Sequence, residues 1–159
     1  MSVLLKNGTV IDYGSNTNDV LDIYIENNKI SKIGKNLDLT SEKTIDCTNL
    51  FIIPGMIDIH CHLREPGFEH KETIETGSKS AVKGGFTTIC PMPNTKPTTD
   101  SAFILQEIIK KSKELELCNV LPYGAVTVRR KRGRTNKFWW AKKSRSYRFF
   151  RRWDTSKKF

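Results

Sequence analysis

Histidine and arginine crowd one short run of this chain. "DIHCHLREPG", Asp58 to Gly67, holds His60 and His62 on either side of Cys61, then Arg64, then Pro66-Gly67. The chain has three histidines, and the third, His70, lies just beyond. Imidazole nitrogen binds borderline divalent ions such as zinc readily. In a strand, residues two apart face the same way, so His60 and His62 could grip one ion together. Cys61 then faces the opposite way and reads as a core thiol. Two ordinary loop histidines have the same spacing, and spacing alone does not separate these readings.

Arg64 adds a second kind of chemistry. A guanidinium beside a metal can hold a substrate carboxylate through two parallel hydrogen bonds. Paired with Glu65 or Glu69, it would instead be a surface arginine. A second run, "PMPNTKP" from Pro91 to Pro97, follows another strand-like stretch. Its Asn94 could hydrogen-bond the same substrate, or merely form a turn between prolines. Asp58 and His70 lack a paired spacing and read as structural.

The elements that must carry these residues follow from pattern. "VLLKNGTVID" and "DIYIENNKISKIG" read as strands, the second as a hairpin turning at Asn27-Asn28. "KTIDCTNLFIIPGMIDIHCH" is strand-like again, broken at Pro54-Gly55, so the histidines sit at the end of an apolar strand, Met56 to Ile59. Periodicity then switches to helical. Ile74, Ala81 and Val82 share one face before a Gly84-Gly85 stop. "FTTICPMPNT" is β-branched. "DSAFILQEIIKKSKELEL" places Ile104, Leu105, Ile108, Ile109 and Leu115 at helical spacing, with Asp100 as the expected N-cap. "NVLPYGAVTV" is strand-like. An all-β opening followed by β-α-β-α-β predicts an α/β fold with a parallel sheet or barrel. In a β/α barrel, reactive groups gather at strand ends, where both motifs lie.

Composition bounds the partners. Hydrophobic residues make up 37% and charged residues 28% of 159. No run approaches the ~20 apolar residues of a membrane span, and no signal peptide is read at the start. Cys47, Cys61, Cys90 and Cys118 are widely spaced, which fits reduced thiols in a cytoplasmic protein. The net charge of +10 is unevenly distributed. Residues 129–159 contain 14 Lys and Arg against Asp154 alone, and all three tryptophans. The first 128 residues carry 13 basic and 16 acidic side chains.

Together the motifs resemble dihydroorotase, of the amidohydrolase superfamily. The pattern D-x-H-x-H-x-R-x-P-G matches Asp58, His60, His62, Arg64, Pro66 and Gly67, and M-P-N-T-x-P matches Met92, Pro93, Asn94, Thr95 and Pro97. "FIIPGMID" is also typical of the superfamily. Hydantoinases and allantoinases share the His-x-His pair and stand as the alternative; Arg64 with "PNT" favours dihydroorotase. The resemblance runs from about residue 3 to about residue 128. It implies a pyrimidine-synthesis enzyme that reversibly hydrolyses dihydroorotate to N-carbamoyl-aspartate. It implies Zn2+, one or two ions, bound by His60 and His62, and a substrate carboxylate held by Arg64 and Asn94. It implies a homo-oligomer or an assembly with another enzyme of the pathway. The fold it implies is an incomplete α/β one. Residues 1–53 would be the β segment of a composite β-sandwich, and 54–128 the first β/α units of a metal-dependent TIM-like barrel.

The family needs more ligands than this, from later strands, and no histidine follows His70. A complete barrel takes roughly 200 residues or more. The chain is therefore expected to bind metal weakly and to be inactive alone, with no catalytic residue assigned. Residues 129–159 are expected to be an out-of-frame, disordered tail. Trp139-Trp140-Ala141 must be encoded TGG-TGG-GCN, and reading one nucleotide later forces Gly-Gly. The same shift permits "FSDDG" near Trp153, like the family's next strand. The competing reading is nucleic-acid binding by that tail, its basic residues on phosphates and its aromatics on bases. Sequencing the gene beyond codon 128 separates the two.

Overall fold

The computed structural model describes residues 1–127 and the pair Phe149–Phe150. The chain divides into two compact units, Met1–Pro54 and Gly55–Phe159.

The first unit is a five-stranded sheet: β1 (Ser2–Asp12), β2 (Thr17–Glu26), β3 (Lys29–Gly34), β4 (Lys43–Asp46) and β5 (Phe51–Ile52). β2 and β3 form the expected hairpin, with Asn27 and Asn28 both at positive φ, 51° and 60°. Two such residues make the turn whose twist matches paired strands. β1 is the centre of the sheet. It pairs antiparallel with β2 on one side and parallel with both β4 and β5 on the other. A register shift between Leu5 and Gly8 separates those two parallel stretches. Asn7, within it, has φ 61°.

Asp22 ties this irregularity down. Its side chain is buried, 3% exposed, and accepts from the backbone N–H of Asn7 at 2.7 Å and of Leu37 at 2.8 Å. The Lys6 ammonium lies 3.7 Å away. Burial pushes the Asp22 carboxyl up, but the two N–H donors and Lys6 together outweigh it and hold the carboxyl below its ordinary value. Leu4, Val10, Ile23, Leu37 and Cys47 are the buried apolar residues of this unit.

The second unit alternates strand and helix: β6 (Met56–Cys61), α1 (Ile74–Lys83), β7 (Phe86–Pro91), α2 (Ala102–Leu115), β8 (Asn119–Val120) and β9 (Gly124–Ala125). β6, β7 and β8 form a parallel sheet in that order, as the α/β expectation required. Leu63, Ile74, Ile89, Ile108 and Val120 make its core, with Cys61, Phe86 and Ile104 packed against them.

Two local expectations need correction. The buried face of α1 is Ile74 and Ser78, with Ala81 beside it, while Val82 is 44% exposed. At 100° per residue, Val82 sits about 80° round from Ile74, whereas Ser78 sits about 40° round. The N-cap of α2 is Ser101, not Asp100: the Ser101 hydroxyl accepts from Ile104 N–H. Either residue type can cap; here the helix starts one residue later.

Phe149–Phe150 form β10, paired in parallel with β9. The rest of 129–159 lies outside the described residues, and so do the disorder expected there and the nucleic-acid reading. No helix among the described residues is long and apolar enough to cross a membrane.

Candidate functional site

β6 departs from the expected alternation: Ile57 and Ile59 are exposed, Asp58 and Cys61 are its half-buried residues, and its register with β7 shifts between Asp58 and Cys61. Cys61 packs against the core cluster. His60, near the end of β6, and His62, just past it, nonetheless bring their rings together. His60 is exposed and His62 half-buried, at the C-terminal end of a parallel strand. Their rings meet edge to face with centres 5.4 Å apart. Asp58 Oδ1 accepts from the His60 backbone N–H at 2.9 Å, a structural role as expected. His70 is exposed and stacks edge-on against Phe68.

Asn94 reaches the same place from β7. Its Oδ1 lies 2.9 Å from His62 Nδ1. The backbone makes this possible. Met92 N–H donates to Cys61 O at 2.9 Å, carrying the β6–β7 ladder past the strand ends. Pro91, Met92 and Pro93 are buried, so the loop rests on the core before Asn94 emerges.

The two motif loops are joined further out. Lys96 N–H donates to Pro66 O at 2.9 Å. Gly67 has φ +94°, and a Cβ there would fall 1.8 Å from Lys96 O. Only glycine allows both that backbone angle and that approach. Thr95 Oγ1 donates to Pro97 O at 2.7 Å and lies 2.9 Å from Thr99 Oγ1, which braces the Asn94 loop internally.

Arg64 is half-buried and has φ 60°, an uncommon angle for a residue with a side chain. The surface-pair reading loses its candidates. Glu69 accepts from the Gly67 N–H at 2.7 Å. Glu65 accepts from Ile74 N–H, at the start of α1, at 2.8 Å, and its other oxygen pairs with Lys111 of α2. Sequence reasoning gave Glu65 no role beyond that pairing. Its carboxylate fastens the Arg64 loop to both helices, and no local spacing announces a contact 46 residues away.

Cys61 behaves as a core thiol. Burial, then the nearby Asp58, Cys90 and Cys118, push it up to about 12. Without a metal it is therefore a protonated thiol at neutral pH, packed against the core cluster. All four cysteines are free.

A divalent ion can be tested against this geometry. Two imidazoles bound at ~2.1 Å at a tetrahedral ion hold their ring centres roughly 5 Å apart. The observed 5.4 Å fits. The set stops there: among the described residues, no cluster of three or more His, Cys, Asp or Glu could hold a metal. Working zinc sites use at least three protein ligands. The described residues could fill two corners of such a site, with the Asn94 amide against one of them; Arg64 lines a small cavity with Met92, Thr95 and Thr99.

Comparisons with known proteins agree on the family. A family model described as dihydro-orotase-like matches residues 49–151, further than the motifs alone reach. Dihydroorotase from Bacillus cytotoxicus is 49% identical over 129 residues, covering 81% of this chain and 30% of that protein. Dihydroorotase from Aquifex aeolicus is 49% identical over 131 residues, 82% of this chain and 31% of the relative. Among solved structures, L-hydantoinase (dihydropyrimidinase) from Arthrobacter aurescens matches with a TM-score of 0.72 at 28% identity, covering 79% of this chain and 28% of that one. D-hydantoinase (dihydropyrimidinase) from a Thermus species gives 0.65 at 33% identity, with the same coverage. The chain thus spans about 30% of the length of the curated relatives it matches.

Proposed function

This chain belongs to the dihydro-orotase-like family, and from that premise we propose that it carries the opening part of a dihydroorotase-type cyclic amidohydrolase. The reaction is the reversible hydrolysis of dihydroorotate to N-carbamoyl-aspartate. His60 and His62 are two ligands of a zinc ion, and Arg64 and Asn94 hold the substrate carboxylate. Zinc bound there would polarise the amide carbonyl and activate water. The chain's own contribution is orientation. The joined loops hold Asn94 against His62, and Arg64 follows His62 by two residues, within reach of a carboxylate whose grip would set the ring's approach to the metal.

One observation carries this reading: the 2.9 Å contact between His62 and Asn94, residues from two motifs on adjacent parallel strands. With only two ligands among the described residues, the chain alone is catalytically silent. By the same reading, residues 1–53 belong to a composite β-sandwich and 54–128 are the first β/α units of a barrel. For residues 129–159 the reading stays that of a tail translated out of frame, supported by its basic surplus and the Trp139-Trp140 codons, while the family match through residue 151 counts against it.

A second reading has a specific observation behind it, since hydantoinases are among the solved structures it resembles. Hydantoin carries no carboxylate and gives Arg64 no partner.

The test assays the full chain with zinc, alone and co-expressed with the portion of the Bacillus cytotoxicus relative that lies beyond the match. The expected result is no turnover alone and dihydroorotate turnover in the mixture, lost in Arg64→Ala. Restored turnover of hydantoin but not dihydroorotate moves the assignment to the second reading. Normal metal-dependent turnover by the chain alone overturns its silence.

A further inference from the structure

We propose that Asn94 is a positioning residue for His62: its side-chain carbonyl accepts the Nδ1–H and holds the ring in one tautomer. This rests on the reading of His62 as a metal ligand, and adds to Asn94 a role distinct from gripping substrate. A neutral imidazole has one N–H and one lone pair, and the partner of one nitrogen decides the state of the other. With Asn94 Oδ1 2.9 Å from Nδ1, the proton belongs on Nδ1. The lone pair is then left on Nε2, the ring nitrogen that does not face Asn94.

The amide's two ends make the assignment coherent. An Asn side chain has an acceptor end and a donor end. Oδ1 directed at His62 leaves the NH2 group to donate elsewhere, and a carboxylate accepts such donors. The opposite orientation would fail on both sides. NH2 would donate to Nδ1, forcing the proton onto Nε2 where it blocks a metal, and Oδ1 would face an anion. Only one orientation serves both jobs, and the loop that carries the amide is braced in place. It is held by Met92 N–H on Cys61 O, by Lys96 N–H on Pro66 O, and by Thr95 bonded to Pro97 O and Thr99. One amide thereby couples the state of a ligand to the placement of the substrate.

The experiment uses the metal-free full chain with 15N-labelled histidine, at a pH where the imidazoles are neutral. Long-range proton–nitrogen correlations read which ring nitrogen of His62 is protonated. The expected result is Nδ1–H in the parent chain. Asn94→Asp keeps an acceptor and keeps that tautomer. Asn94→Ala loses it, and weakens zinc binding by roughly 10- to 100-fold. His62 protonated on Nε2 in the parent chain overturns the proposal before any variant is made, so a variant that fails to fold does not shield it. An unchanged tautomer in a folded Asn94→Ala overturns it equally. A chain that shows the Nδ1–H tautomer, and its loss in Asn94→Ala, but binds no zinc, retains the positioning role and removes the metal reading.

Discussion

The two units treat a polar side chain at an irregular loop in opposite ways. In the first, Asp22 directs its carboxylate entirely inward, to Asn7 N–H, Leu37 N–H and the Lys6 ammonium. Every strong partner it needs is supplied by the fold, and it offers nothing to a ligand. In the second, His62 receives one partner, Asn94, on one nitrogen, and Arg64 is left without either neighbouring glutamate. Both arrangements use a polar side chain to bind an irregular loop. Satisfying all of a group's bonds makes it structural, and satisfying half of them makes it available.

Substitutions can break this contrast. Gly67→Ala puts a methyl group into the Lys96 carbonyl at an unfavourable φ. It should cost about 3 kcal/mol and separate the two motif loops. Chemical denaturation gives the cost, and loss of the His62 tautomer signal reports the separation. A near-neutral result would mean the loops are not joined as described.

Asp22→Ala comes next. It leaves two backbone N–H groups of the first unit without their acceptor, at about 2–3 kcal/mol. Its effect belongs to stability alone: the His62 ring should keep its tautomer.

The same carboxylate predicts a pH dependence. Its folded pKa lies below the ordinary aspartate value of 3.8. Its stabilisation is therefore fully present above that value and lost as pH falls through the lower folded one. The denaturation midpoint reported by residues 1–54 should stay level from neutral pH to about 5 and drop below about 4. Asp22→Asn should flatten that drop; an unaltered profile would place the acid sensitivity elsewhere.

The smallest effect concerns α1. Thr73 accepts from Thr76 N–H at 3.0 Å, and Thr76 Oγ1 accepts from Thr73 N–H at 3.1 Å. Thr73→Ala should cost about 1 kcal/mol, read from the same denaturation curves, and leave the site's geometry unchanged.

What could be read from sequence follows the range of each signal. The hairpin at Asn27-Asn28, the helical face around Ile104 and Leu105, and the alternation that turns Cys61 away from His60 and His62 are short-range patterns. The first two survive in the structure; the third is interrupted, since Ile57 and Ile59 are exposed and the β6–β7 register shifts between Asp58 and Cys61. The position of both motifs at strand ends followed from that alternation plus the shift to helical periodicity. The misses are long-range or one residue fine. Neither the shared partner of β4 and β5 on β1 nor the Glu65–Lys111 pair leaves a local trace. Gly67 appeared in a motif, but its close approach to Lys96 depends on two loops meeting. Ser101 displaced Asp100 as cap because adjacent residues of similar capping power differ only in where the turn begins.

The central claim is that His60 and His62 form two corners of a metal site at the end of β6. Zinc titration of the full chain, followed by calorimetry, tests it directly. The account predicts one weak site, abolished in His60→Ala and in His62→Ala and retained in His70→Ala and Cys61→Ser. Zinc uptake that persists in a folded His60→Ala/His62→Ala double variant, or that disappears with Cys61, would contradict it.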